Sequence, residues 1–94
     1  MTAVGLLTIE LQIQHAHSLK DKRQVIRSLK DRIRSRFNAA VAEVDHQDSW
    51  QRATIVVATV SGERQYAEEA LQKIEDEAAR MLGVDLISAE VEFL

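Results

Sequence analysis

His15 and His17 stand two residues apart in HAHSLKDKR, beside Ser18, Asp21 and three basic side chains. Such types support two chemistries. On a continuing strand the two imidazoles share a face and can reach one metal ion. A histidine next to a serine is also the start of a nucleophile–base pair. Neither reading develops. Zinc takes three or four ligands, the chain has no cysteine, and the third histidine, His46, falls in a separate turn. Ser18 followed by Asp21 has capping-box spacing: the serine oxygen accepts from the third helical N–H and the carboxylate reaches back. A serine engaged in that way is no nucleophile, and no oxyanion-hole motif accompanies it. The histidines are expected to close a strand, bonded to backbone. No catalytic residue, metal ligand or cofactor site is assigned. Glycines 5, 62 and 83 form no nucleotide-binding fingerprint.

Downstream of the histidines the chemistry is one of charge. The net charge is −3, but eight of the twelve basic residues lie between Lys20 and Arg36 with only two acids among them, Asp21 and Asp31. At 100° per residue, Lys20, Arg23, Arg27, Lys30 and Arg34 fall within an arc of about 80°. Lys22 adds to the basic start of this segment. Like charges at such spacings repel, so something must offset them. One offset is cross-helix pairing with the acids of a second helix, among them Glu63, Glu68, Glu69, Glu75, Asp76 and Glu77. The other is a phosphate backbone, for which a basic row is the usual footprint. Trp50, the only tryptophan, and Arg52 lie in DHQDSWQR. A tryptophan at a hairpin base either packs on its neighbours or, with an arginine beside it, stacks on a base.

These residues need elements to hold them. Residues 4–14 alternate, with Gly5, Leu7, Ile9, Leu11 and Ile13 on one face and Val4, Leu6, Thr8, Glu10 and Gln12 on the other; this is a half-buried strand. After Ser18, the residues Val25, Ile26, Leu29 and Ile33 recur at helical spacing. A second strand is expected over 37–45, a turn at 46–49, and a β-branched central strand over 50–60. Ala67, Ala70, Leu71, Ile74, Ala78, Met81 and Leu82 predict an amphipathic helix over 63–82, stopped by Gly83. A last strand follows over 84–94. The order βαββαβ predicts an α+β ferredoxin-like sandwich: a four-stranded antiparallel sheet, order 4-1-3-2, with two helices on one face. One domain spans 1–94. That leaves an uncovered sheet face with Val4, Leu6 and Thr8 of the first strand and Leu86, Ser88, Glu90 and Glu92 of the last. A half-apolar open face suits contact with another copy or a partner.

The N-terminal run lacks the basic start of a signal peptide, Glu10 interrupts it, and no window is apolar enough to span a membrane. With no cysteine, a cytoplasmic location is expected.

The stretch AHSLKDKRQVIRSLKDRIRSRFN, continuing through VAEVDHQDSWQRATIVVATVS, resembles the YlxP-like family of small bacterial proteins of uncharacterised function. The resemblance runs from VGLLTIEL at residue 4 to the final strand. Its motif is Ser18-Leu19-Lys20-Asp21-Lys22-Arg23, with Gln47-Asp48 and Trp50-Gln51-Arg52-Ala53. It implies a ferredoxin-like fold and a bacterial cytoplasmic protein, often encoded near translation-initiation and ribosome-maturation genes. It supplies no catalytic residue. The expectation is a non-enzymatic domain without cofactor, associated with structured RNA or the ribosome through Lys20, Lys22, Arg23, Arg27, Lys30 and Arg34, with Trp50 and Arg52 as further contacts. The alternative is a homo-oligomer or protein-partner module joined through Val4, Leu6, Thr8 and Leu86.

Overall fold

The alternation of residues 4–13 becomes β1 (Ala3–Gln12), whose Leu7, Ile9 and Leu11 are fully buried. The computed structural model describes residues 1–94. Ser18 starts α1 (Leu19–Arg36), its Oγ accepting from the Asp21 N–H at 3.1 Å. The Asp21 carboxylate returns a bond to the His17 N–H at 3.0 Å, one residue before the cap. The reciprocal contact of a capping box thus falls one residue before its usual place. Arg34 and Arg36 occupy the last turn, where cations favour the helix dipole.

The chain continues through β2 (Ala40–Asp45), β3 (Arg52–Ser61), α2 (Arg64–Leu82), a 3-10 turn (Gly83–Asp85) and β4 (Leu86–Phe93). β2 begins three residues later than the sequence suggests. The Phe37 N–H still donates to Ile33 O at the helix end, and Ala39 N–H turns back to Phe37 O. Gly83 stops α2 with φ of 55°, which a side chain would strain.

The four strands make one antiparallel sheet of order β2-β3-β1-β4, the expected order read from the other edge. Both helices pack on one face. Ile26, Leu29 and Ile33 of α1 and Leu71, Ile74 and Ala78 of α2 bury against Leu7, Ile9, Leu11, Ile55 and Val57. The fold is ferredoxin-like. Gly5 makes room for two side chains: a Cβ there would stand 2.7 Å from Leu71 Cδ1 of α2 and 2.9 Å from the Phe93 ring.

One expected position is corrected. Leu86 does not belong to the open face. β4 carries one extra residue, Ile87, between the pairs Glu10↔Ser88 and Leu11↔Leu86. This bulge inverts the side-chain parity, so Leu86 pairs with Leu11 and packs against the core. Ile87 is exposed in its place. Val4, Leu6 and Thr8 do lie on the open face, opposite Val60, Ala58 and Val56. A second register shift, at Val44, lies near the end of β2.

A basic groove and a pinned hairpin loop as the candidate functional site

The apolar stripe of α1 does not begin at Val25. It begins one turn earlier with Lys22, four residues before Ile26, and Lys22 is only 1% exposed. Its Nζ donates to three backbone carbonyls of the β2–β3 connection: His46 at 2.8 Å, Arg52 at 3.2 Å and Gln47 at 3.4 Å. Three bonds use all the donors of an ammonium. Glu43 Oε2 stands 3.0 Å from the same nitrogen and itself has no hydrogen-bond partner, so that contact is one of charge. Alternation along β2 turns Glu43 inward, opposite Ile55. Lys22 is therefore not a phosphate contact, contrary to the sequence expectation: burial and four partners remove it from the surface.

This buried lysine holds residues 46–51 in place. The loop reverses at His46, which has a left-handed φ of 65°. Its N–H donates to its neighbour's Asp45 Oδ1 at 2.7 Å, and its carbonyl also accepts from Ser49 N–H at 3.0 Å. Ser49 Oγ accepts from the N–H groups of Gln51 and Arg52. Gln51 ties the loop to the end of β1, through Ile13 N–H to Gln51 O at 2.7 Å and Gln51 Nε2 to Ala16 O at 3.3 Å. Trp50 sits in the middle of these bonds, yet it is 57% exposed and is no part of the core. Arg52 is exposed at the start of β3.

The remaining bases of α1 divide into two sets. Arg32 and Arg36 turn toward α2, where Glu77 is buried to 4% exposure. Glu77 accepts from Arg32 at 2.8 Å and Arg80 at 2.6 Å and lies 3.7 Å from Arg36. The Arg80 hydrogen bond, opposed by burial and reinforced by the Arg32 bond and the charges of Arg36 and Arg80, holds the Glu77 carboxyl below its ordinary range. Lys20, Arg23, Arg27 and Lys30 form no ion pair. Arg34 donates to the Val41 carbonyl on the β2 edge at 3.0 Å and stays exposed. Cross-helix pairing thus reaches Arg32 and Arg36 and leaves the ridge without acidic partners. Arg23, Arg27, Lys30 and Arg34 line a groove of about 390 Å³ between α1 and the β2 edge, together with Ile26, Asp31 and Glu43. Over the 14 steps from Lys20 to Arg34 the row runs about 21 Å along the helix.

Sequence reasoning missed Lys22, Glu43 and Glu77 as interior groups. The signal was present: each lies in phase with buried apolar neighbours. His15, His17 and His46 reach the same end of the molecule through the Gln51 contacts. No group of three or more His, Asp or Glu side chains there or elsewhere is placed to hold a metal ion. Neither helix is long and apolar enough to cross a membrane.

Comparisons with known proteins agree with the fold and the resemblance. Residues 4–91 match a family described as "Protein of unknown function (DUF503)". The "Uncharacterized protein YlxP" of Bacillus subtilis (strain 168) is 37% identical over 71 residues, covering 76% of this chain and 77% of that protein. Among solved structures, the de novo designed protein Foldit4 superposes with a TM-score of 0.62 at 14% identity, covering 100% of this chain and 97% of that one. The de novo designed LFR1 1, described as having a ferredoxin fold, superposes with a TM-score of 0.53 at 12% identity, covering 100% of this chain and 84% of that one. At such identities these likenesses speak for the fold alone.

Proposed function

Since the chain belongs to the DUF503 family, whose function is unknown, we propose a role from its surface: it acts by binding structured RNA, as on the ribosome. Lys20, Arg23, Arg27, Lys30 and Arg34 contact phosphates, and no bond of the RNA is made or broken. One observation carries this reading. The second helix offers acids, yet its one cross-helix partner, Glu77, engages Arg32 and Arg36 and leaves the ridge unneutralised. A row of desolvatable cations along an open groove fits a polyanion whose charges recur along a line. The net charge of −3 confines the contact to this side of the molecule: acids elsewhere repel a polyanion that tries to wrap.

The test is equilibrium binding to ribosomal RNA fragments over a range of salt concentrations. The wild-type protein is expected to lose affinity steeply as salt rises. The variant R23Q/R27Q/K30Q is expected to bind more weakly, with a log–log salt slope smaller by about two to three. Binding that is absent, or insensitive to salt, ends this proposal.

A second reading rests on a different face. Val60 is 60% exposed on the uncovered side of the sheet, beside the half-buried Val4, Leu6, Val56 and Ala58. Burial of that strip against a second copy of the chain would remove apolar surface from water.

A further inference from the structure

We infer that Trp50 is a base-stacking platform at the head of the basic groove, so that the RNA bound there presents an unpaired nucleotide to it. This rests on the phosphate-binding reading above and deepens it.

Three observations support it. First, the indole does not do what an indole in a small domain ordinarily does. It is 57% exposed and does not pack against the core, although burial of a tryptophan is among the most favourable transfers a domain can make. Second, its loop is fixed. Lys22 binds the carbonyls on both sides of it, at His46 and Arg52, and Ser49 and Gln51 close the rest. A ring on a pinned backbone stacks without the ordering cost that a mobile loop would add. Third, the pin is a residue of the first turns of α1, the turns from which Lys20 and Arg23 project. The same bonds that fix the loop's backbone tie it to the first turns of α1, where the basic row starts. Exposed Arg52 adds a cation at the loop's far end.

A basic track with an aromatic ring at one end is the arrangement that holds single strands: phosphates lie along the charges and a base lies on the ring. A continuous duplex keeps its bases stacked on one another and offers the indole only its terminal pair. The groove should therefore prefer a loop, a bulge or a strand end to a regular helix.

Trp50 is the only tryptophan, so tryptophan emission, excited at wavelengths that Tyr66 does not absorb, reports this position alone. The full chain is titrated with a fluorescein-labelled 12-nucleotide RNA, single-stranded and as a blunt duplex. Anisotropy reads affinity, and tryptophan emission is followed with the unlabelled strands. The single strand is expected to bind about tenfold more tightly than the duplex and to quench the emission. W50A should lose that preference while keeping its affinity for the duplex, and W50F should retain most of it. Circular dichroism and thermal midpoints of both variants check the fold. Equal binding of the two RNAs, unmoved emission at saturation, or a single-strand preference that survives W50A each overturns the platform and leaves the phosphate row standing. Absence of salt-sensitive binding to either RNA overturns both.

Discussion

Glu77 of α2 accepts a hydrogen bond from Arg32 of α1 at 2.8 Å, and it is the only acid of α2 that pairs across to α1. Its carboxylate also faces Arg36 and Arg80. One buried anion thus holds three guanidinium groups, and the interhelical seam depends on its ionisation.

That seam gives a pH dependence with a definite sign. The Glu77 carboxyl is held below its ordinary range, first by Arg80 and against the opposing effect of burial. A depressed carboxyl contributes stability that is fully present above the unfolded value, about 4.3, and is lost as pH falls through the lower folded value. E77Q should lower the thermal midpoint at pH 7, and the gap to wild type should narrow as the pH is taken below 4. A gap that is constant or widens over that range contradicts the assignment.

The two sets of arginines on α1 should separate in experiment. R32Q/R36Q removes both α1 partners of Glu77 and leaves Arg80; it is expected to lower the urea midpoint while leaving RNA affinity within about twofold. R23Q/R27Q/K30Q should do the reverse, with stability changed by no more than about 0.5 kcal/mol, as for surface sites without partners. Parallel denaturation and binding measurements on both variants distinguish this from a general charge effect, which would move both readouts together.

Removing the ammonium from the hairpin should be costly. K22M takes one donor from each of three carbonyls, of which His46 O keeps the bond from Ser49 N–H, and leaves Glu43 without its counter-charge; breaking such a pair costs about 3 kcal/mol. K22M/E43L should recover part of that loss, since the carboxylate no longer lacks its counter-charge. Urea denaturation measures both. Amide exchange should show faster turnover in residues 46–51 of K22M. If K22M is as stable as wild type, the loop is held by something other than Lys22.

At Gly5 the expectation is steric. The Cβ of alanine would meet Leu71 at 2.7 Å and Phe93 at 2.9 Å, so G5A should destabilise by about 1–3 kcal/mol. The compound variant G5A/L71A should recover some of this, because the closest contact is a side chain and not backbone. An unchanged urea midpoint for G5A would mean that the Leu71 and Phe93 side chains give way without cost.

Self-association through the uncovered sheet face predicts a dimer in sedimentation that V60E and L6E return to monomer. A wild-type protein that sediments as monomer throughout the micromolar range removes that reading and leaves the RNA proposal untouched.

Much of this was legible in the chain. Strict alternation at Leu7, Ile9 and Leu11 and helical spacing at Ile26, Leu29 and Ile33 fix the faces of β1 and α1, and the βαββαβ order leads to the sheet. The capping reading of Ser18 and Asp21 was available from their spacing alone. The ridge from Lys20 to Arg34 was visible as an angle. Burial of charge was harder to see. Lys22, Glu43 and Glu77 occupy apolar phases, and which polar residue in such a phase goes inside depends on a partner far along the sequence: Glu43 and three carbonyls for Lys22, arginines of the other helix for Glu77. The bulge at Ile87 has no composition signal. A single extra residue in β4 decides that Leu86 faces the core, and only the pairing with β1 reveals it.

The lysine inside the β2–β3 hairpin has a further consequence. Three carbonyls and a carboxylate around one positive centre form the kind of oxygen nest that in other proteins holds a potassium or sodium ion. Here the ion is tethered: it is covalently part of α1 and cannot be exchanged with the buffer. The loop that carries Trp50 therefore keeps its shape at any ionic strength that leaves the protein folded. The lysine's hold on the hairpin has no dissociable ion to lose when the salt concentration changes.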